Sequence, residues 1–191
     1  FAAKWLTARL QGFTAAHPDI DVNVTASLAR VDLEGGEADC AIRWGQGGWE
    51  GLACDRLFAD DTFPVCSPAL RDGAPGLRTL DDLRRHTLLH DQSLAPWRDW
   101  LRAVGMADVD WVRGLRVALV VFSLAADDLA AGRLVRPLDL SVQSLASYHF
   151  VATTRSLRRP MVRAFRDWIV AAAAGTIRVP REPDMSSRPA D

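Results

Sequence analysis

The sequence predicts an α/β fold. Helical and strand-like periodicities take turns along the chain, as in doubly wound sheets. Between Asp19 and Ala26 the apolar residues Ile20, Val22 and Val24 alternate strictly with polar ones, the period of a half-buried strand. A third observation is local: the strand-like run Cys40-Ala-Ile-Arg-Trp44 stops at Gly45, and the loop Gly45-Gln-Gly-Gly-Trp-Glu-Gly51 follows. Glycines there leave backbone amides uncovered. Strand ends of this kind are where open α/β sheets hold ligands.

From Ala2 to Ala16, Trp5, Leu6, Leu10 and Phe13 recur at near-helical spacings, and Pro18 requires the helix to end before it. The alternating strand Asp19–Ala26 and a loop Ser27–Arg30 come next. Helix followed by strand is half of a βαβ unit, and its first strand is expected ahead of Phe1. Cys40–Trp44 is the next strand. Leu52–Phe58 and Thr62–Cys66 read as two more, separated by the acidic turn Ala59-Asp-Asp61, with Pro64 where no ladder donor is required. Thr79 caps a short helix with Asp81 and Asp82 in its first turn, ending near Arg85. Thr87–His90 is a brief strand. Pro96 opens a helix whose Trp97, Trp100, Leu101 and Val104 form an apolar stripe, ended by Gly105. Ser147–Thr153 is a strand. Pro160 starts a helix in which Met161, Phe165, Trp168, Ile169 and Ala172 follow one another at spacings of 4, 3, 1 and 3, up to Gly175. The tail 177–191, rich in Pro, Ser, Arg and Asp, is expected to be disordered.

Composition agrees with a folded, soluble chain. Its 191 residues are 49% hydrophobic, enough for one compact unit or for two small lobes. Lys and Arg total 23 against 24 acids, and no run of five like charges occurs, so the basic stripe of a free-standing nucleic-acid binder is missing. The longest apolar runs, such as Val117–Phe122, fall far short of the roughly 20 residues of a membrane span, and no secretory leader opens the sequence. Cys40, Cys54 and Cys66 are odd in number and lack Cys-x-x-Cys spacing. Neither a disulfide framework nor a zinc site is indicated, and reduced thiols in the cytoplasm are the plainer expectation.

The stretch Ala38–Pro68 also resembles a family. Ala38-Asp-Cys-Ala-Ile-Arg-Trp-Gly45, then Trp49-Glu-Gly-Leu52, then Phe63-Pro-Val-Cys-Ser-Pro68 are similar to the effector-binding domains of LysR-type transcriptional regulators, in the group of the glycine-cleavage activator and the β-lactamase regulator. Asp127-Asp-Leu-Ala-Ala-Gly-Arg-Leu-Val-Arg-Pro137 extends the resemblance. It implies two doubly wound α/β lobes with a hinge, like a periplasmic binding protein. Effector-binding lobe I would comprise 1–65 plus 147–176 and lobe II 66–146, the chain crossing near Cys66 and again near Ser147. It implies a small-molecule effector held between the lobes, a homodimer or homotetramer, and DNA binding through an N-terminal helix-turn-helix outside these residues. The match breaks at Val117, where relatives interpose a strand, a helix and a glycine turn between segments that abut here. Either lobe II has lost them, or the natural chain carries residues there that this sequence does not. The second is favoured, because deleting a packed helix exposes a large apolar face.

Candidate site residues follow from both lines. Arg43, beside the glycine loop, suits bidentate capture of a carboxylate; alternatively it pairs with Asp39 while Trp44 packs on the first helix. Trp44 and Gly45 belong to the loop itself. Tyr148 stands where the family uses an aromatic residue to line the effector crevice, unless it is a routine strand aromatic. Ser27 and His90 sit at strand ends. His86 and His90 are four apart, but in a strand that spans about 13 Å, too far to share a metal. Cys66-Ser67 lacks a glycine elbow and an adjacent base, and Cys40 reads as a small core residue. No cofactor, metal set or catalytic group is suggested. Trp5, Leu6, Arg9, Phe13 and Val24 are the expected dimer contacts, an isologous pairing of the first helix and strand; alternatively the apolar ones cover their own sheet. A solute-binding protein of a transporter is the alternative of another class, as is an enzyme on the same architecture.

Overall fold

The computed structural model describes residues 1–27, 29–58, 61–89, 95–106 and 117–176. A π-helical turn Ala2–Leu6 runs into α1 (Thr7–Ala16), followed by β1 (Ala41–Gly45), β2 (Leu52–Arg56), β3 (Asp61–Val65) and α2 (Pro68–Asp72). A 3-10 turn Asp81–Arg85 precedes β4 (Leu88–Leu89) and α3 (Ala95–Ala103). Then come β5 (Val117–Val121), α4 (Phe122–Ala130), β6 (Val142–Gln143), β7 (Ser147–Thr153), a 3-10 turn Ser156–Arg158 and α5 (Pro160–Ala174). Two compact units emerge. The first holds Phe1–Thr62, Val120–Ala125 and Val142–Thr176, and the second spans Phe63–Leu119 and Ala126–Ser141.

In the first unit β7 is the central strand, antiparallel to β1 on one side and β2 on the other. Its composition explains the position. Ser147, Phe150, Val151 and Ala152 are fully buried, and both faces of such a strand must be apolar or satisfied. The Ser147 hydroxyl meets that condition by donating to the Phe58 carbonyl at 2.7 Å. One sheet face carries the core, where Trp5, Leu6, Phe58, Phe150, Val162 and Ile169 pack together. α5 begins at Pro160, whose missing N–H costs nothing in a first turn, and ends at Gly175 as its pattern predicts. Its buried side chains are Val162, Ile169 and Ala173, while Met161 is exposed, so the apolar stripe is rotated by one residue from the expected one. The Arg166 guanidinium grips Asp55 of β2 with two 2.7 Å bonds.

The alternating segment Asp19–Ala26 corrects the sequence reading. It forms no strand; Val24 is exposed, and Ile20 and Val22 are half-buried. Alternation supplies one apolar face, but a ladder needs a neighbouring backbone, and among the described residues none pairs with this segment.

In the second unit β4 lies parallel to β5. The Ser67 hydroxyl caps α2, accepting from the Leu70 N–H at 3.3 Å, and Pro68 opens the helix. Trp97 and Trp100 of α3 are buried edge-to-face at 5.9 Å, and the Trp97 indole donates to the Leu89 carbonyl at 2.8 Å. At the 3-10 turn the expected cap is reversed: the Asp82 carboxylate accepts from the Thr79 N–H at 2.9 Å and its hydroxyl at 2.8 Å. His86 is buried with Nε2 3.2 Å from the Gly76 carbonyl, a structural role. The expectations for His90, for 107–116 and for the tail 177–191 lie outside the described residues.

Candidate functional site

The first unit gathers chemistry at the Gly45 end of β1. Register sets Trp44 opposite Tyr148 and Arg43 opposite His149. Successive strand side chains point to opposite faces, so the two pairs occupy opposite sides of the sheet. On one face the Trp44 ring stands 4.8 Å from that of Tyr148, and the Tyr148 ring lies 4.6 Å from Phe1. Trp44 is 45% exposed, an unusual outlay of apolar surface for a strand residue. The three rings make a shelf whose outer member faces solvent.

On the other face the Arg43 guanidinium donates to the Val31 carbonyl at 3.0 Å and lies 5.9 Å from the Trp49 ring. Burial, and then the positive charge of Arg30, lower its pKa from the ordinary value. The expected pairing with Asp39 does not occur, because Asp39 forms an ion pair with Arg159. Arg30, Arg43, Glu34, Glu50 and Trp49 border a shallow pocket of about 430 Å³.

Between β1 and β2 the glycine loop passes over His149. Gly47 has φ +87°, and a Cβ there would stand 3.1 Å from His149 Nε2. A Cβ on Gly45 would come within 2.9 Å of the Trp49 ring. The loop thus approaches the side chains beneath it closely at both positions, and a Cβ at either would crowd its neighbour. His149 is buried, with Nδ1 3.0 Å from the Ser147 carbonyl and Trp49 edge-on at 5.4 Å. Neither His149 nor Trp49 was among the predicted site residues, although Trp49 opens the run Trp49–Leu52 that carries the family resemblance. The available signal was that His149, like Tyr148, falls on the strand entering the glycine loop's floor.

Of the predicted effector residues, Trp44, Gly45 and Tyr148 are brought together, Arg43 is set on the opposite face, and His90 lies outside the described residues. Ser27 is exposed, its hydroxyl accepting from the Ala29 N–H at 3.0 Å, on the rim of a separate groove. Of the predicted dimer residues, Trp5, Leu6 and Phe13 are buried in their own unit, Arg9 is half-buried over the Trp5 ring, and Val24 is exposed. Burial pushes the Cys40 thiol up to about 11 and raises that of Cys66, so both stay protonated at neutral pH and neither is an activated nucleophile. Among the described residues no three His, Cys, Asp or Glu side chains stand close enough to hold a metal ion.

Comparison with known proteins places this geometry. The model of the LysR substrate binding domain matches residues 1–117. The glycine cleavage system transcriptional activator of Escherichia coli K12 is 35% identical over 190 residues, covering 91% of this chain and 62% of its own length. The transcriptional activator AmpR of Citrobacter koseri is 30% identical with 91% and 64% covered. This chain thus spans somewhat under two thirds of the curated relatives it matches. The solved effector domain of AmpR from Pseudomonas aeruginosa superposes with a TM-score of 0.74 at 30% identity, covering 91% of each chain. These relatives are regulators, which leaves the transporter reading without support. With more than half of its residues matched to the family and a solved member covered along nearly its whole length, this chain belongs to the LysR substrate-binding domain family.

Proposed function

We propose that this chain is the effector-sensing domain of a LysR-type transcriptional regulator, binding a small molecule whose apolar part rests on the Trp44–Tyr148 shelf. The carrying observation is the half-exposed Trp44 ring tilted against Tyr148 at 4.8 Å, at the end of β1 where the glycine-rich loop begins. An aromatic shelf next to a glycine-rich loop suits a ligand with a flat or apolar body and a carboxylate, anionic or zwitterionic. Arg43, on the opposite face, serves as a support that ties Trp49 and the 29–34 segment to β1. The whole regulator would act in the cytoplasm as a dimer or tetramer, bind DNA through a domain outside these residues, and catalyse nothing. Ligand binding would shift the population of DNA-competent assemblies through its differential affinity for them.

The test uses the full-length regulator. Purified from cells under native conditions and then denatured, the wild type is expected to release a specific low-mass compound, identified by mass spectrometry, that Trp44→Ala releases in much lower yield at equal folded protein. Equal yields from wild type, Trp44→Ala and Tyr148→Ala would overturn the assignment of the shelf.

A further inference from the structure

The pocket of about 430 Å³ on the Arg43 face of the first unit is lined by charges of both signs that do not pair with each other. The positive charge of Arg30 opposes that of Arg43, and no carboxylate offsets it. Two guanidinium groups in that state call for an anion. Arg43 spends one Nη2 N–H on the Val31 carbonyl at 3.0 Å. Its other nitrogens make no hydrogen bond among the described residues, and none of them is sealed from solvent, so their N–H groups are open to a ligand. Arg30 is exposed and forms no ion pair among the described residues. The acidic part of the lining is Glu34 and Glu50. Asp32 accepts from the Glu34 and Gly35 N–H groups at 2.9 and 2.8 Å, and Glu37 accepts from the Asp32 N–H at 2.9 Å, so the turn that carries Glu34 is fixed by other carboxylates. It sets Glu34 Oε1 over Gly51, 3.1 Å from where a Cβ would stand and next in sequence to Glu50. Neither glutamate pairs with an arginine among the described residues, although all four side chains share the lining. The half-buried Trp49 ring borders the same space, 5.9 Å from Arg43.

We propose that this pocket is a second ligand site, separate from the aromatic shelf, and that it takes a zwitterion of the α-amino acid kind with a flat apolar side chain. The ligand carboxylate bridges Arg30 and Arg43, its ammonium meets Glu34 and Glu50, and its side chain rests against Trp49. Each part of the lining then has a use. A carboxylate relieves the repulsion between the two guanidinium groups and matches their fork geometry. A plain anion would gain at the arginines and lose at the glutamates, and a plain cation would do the reverse. Only a molecule that carries both signs gains at both ends. The volume lies within the range of small-molecule sites and leaves room for an aromatic side chain on the indole. Because β1 alternates, Trp44 and Tyr148 project from the other face, and this site stands or falls independently of the shelf.

Fluorine NMR of the full-length regulator, grown with fluorotryptophan, reads the two faces separately once the Trp49 and Trp44 resonances are assigned by Trp49→Phe and Trp44→Phe. Titration with L-phenylalanine is expected to shift the Trp49 resonance saturably, and to do so equally in Trp44→Ala. Phenylpropionate, which lacks the ammonium, and phenylethylamine, which lacks the carboxylate, should each need roughly 10-fold higher concentration for the same shift, the worth of one charge-assisted contact. Arg30→Gln and Glu50→Gln, both at exposed positions, should weaken L-phenylalanine by a similar factor, with the resonances of the buried Trp5 and Trp97 unchanged as the sign of an intact fold. A Trp49 resonance that does not move, or that moves only while Trp44 is present, overturns the proposal. So does an equal response to phenylpropionate, which would leave the glutamates without a part in binding.

Discussion

Two stretches of the first unit have the same strand-like composition and opposite fates. Ser147–Thr153 is paired on both sides, and four of its residues are fully buried. Ile20–Ala26 has the stricter alternation yet pairs with nothing among the described residues, and its Val24 is 43% exposed. Side-chain pattern therefore proposes a strand and the neighbouring backbone decides it. The sharpest way to test this is to cut apolar mass from each. Phe150→Ala empties a site at 0% exposure beneath α5 and is expected to cost about 3–5 kcal/mol, read as a lowered denaturation midpoint with unchanged m-value. A loss under ~1 kcal/mol would mean that β7 is not the keel of the unit.

The next largest effect lies in the loop pressed against β7. Gly47→Ala places a Cβ at φ +87° and 3.1 Å from His149 Nε2. The backbone conformation alone costs an L-residue roughly 1–2 kcal/mol. Gly48, at φ +70° with nothing within 4 Å of its would-be Cβ, supplies the control. Gly48→Ala should carry the backbone cost without the crowding, so Gly47→Ala should be the more destabilising of the two in chemical denaturation.

How far sequence could see follows the same division between local and non-local causes. Pro160 and Gly175 bracket α5, and Gly45 ends β1, because helix starts, stops and strand breaks are written in one or two residues. Trp44 and Tyr148 could each be named as candidates from sequence, but the contact of their rings depends on a register between segments about a hundred positions apart. The same register, with its period of two, sends Arg43 to the other face, which no inspection of the run Arg43-Trp44-Gly45 reveals. Trp5, Leu6 and Phe13 announce an apolar helix face, while its cover is supplied by residues such as Phe58, Phe165 and Trp168. His149 and the Asp55–Arg166 pair, the latter bridging 111 positions, carry no local signature at all.

That ion pair gives a smaller effect with a definite pH sign. The hydrogen bonds from Arg166 hold the Asp55 carboxyl below the ordinary value of 3.8, with burial opposing and the arginine charge assisting. The folded form thus binds its proton less readily than the unfolded chain. Its stabilisation is fully present above the ordinary carboxylate range and is lost as pH falls through the depressed folded value. Both partners are about a third exposed, so the pair is worth roughly 1 kcal/mol or less, even with bidentate geometry. Asp55→Asn should lower the Tm slightly at pH 7 and converge with wild type as pH falls through the depressed folded value of Asp55. A difference that persists undiminished in acid would assign the loss to packing rather than charge.

Smallest of all should be Val24→Ser. With 43% of the side chain exposed and no ladder around it among the described residues, removing the apolar methyls is expected to change stability by no more than ~0.5 kcal/mol in chemical denaturation. A loss near the ~1 kcal/mol of a cross-strand packing pair would mean that Val24 is held like a strand residue despite its exposure, and the contrast with β7 would fall.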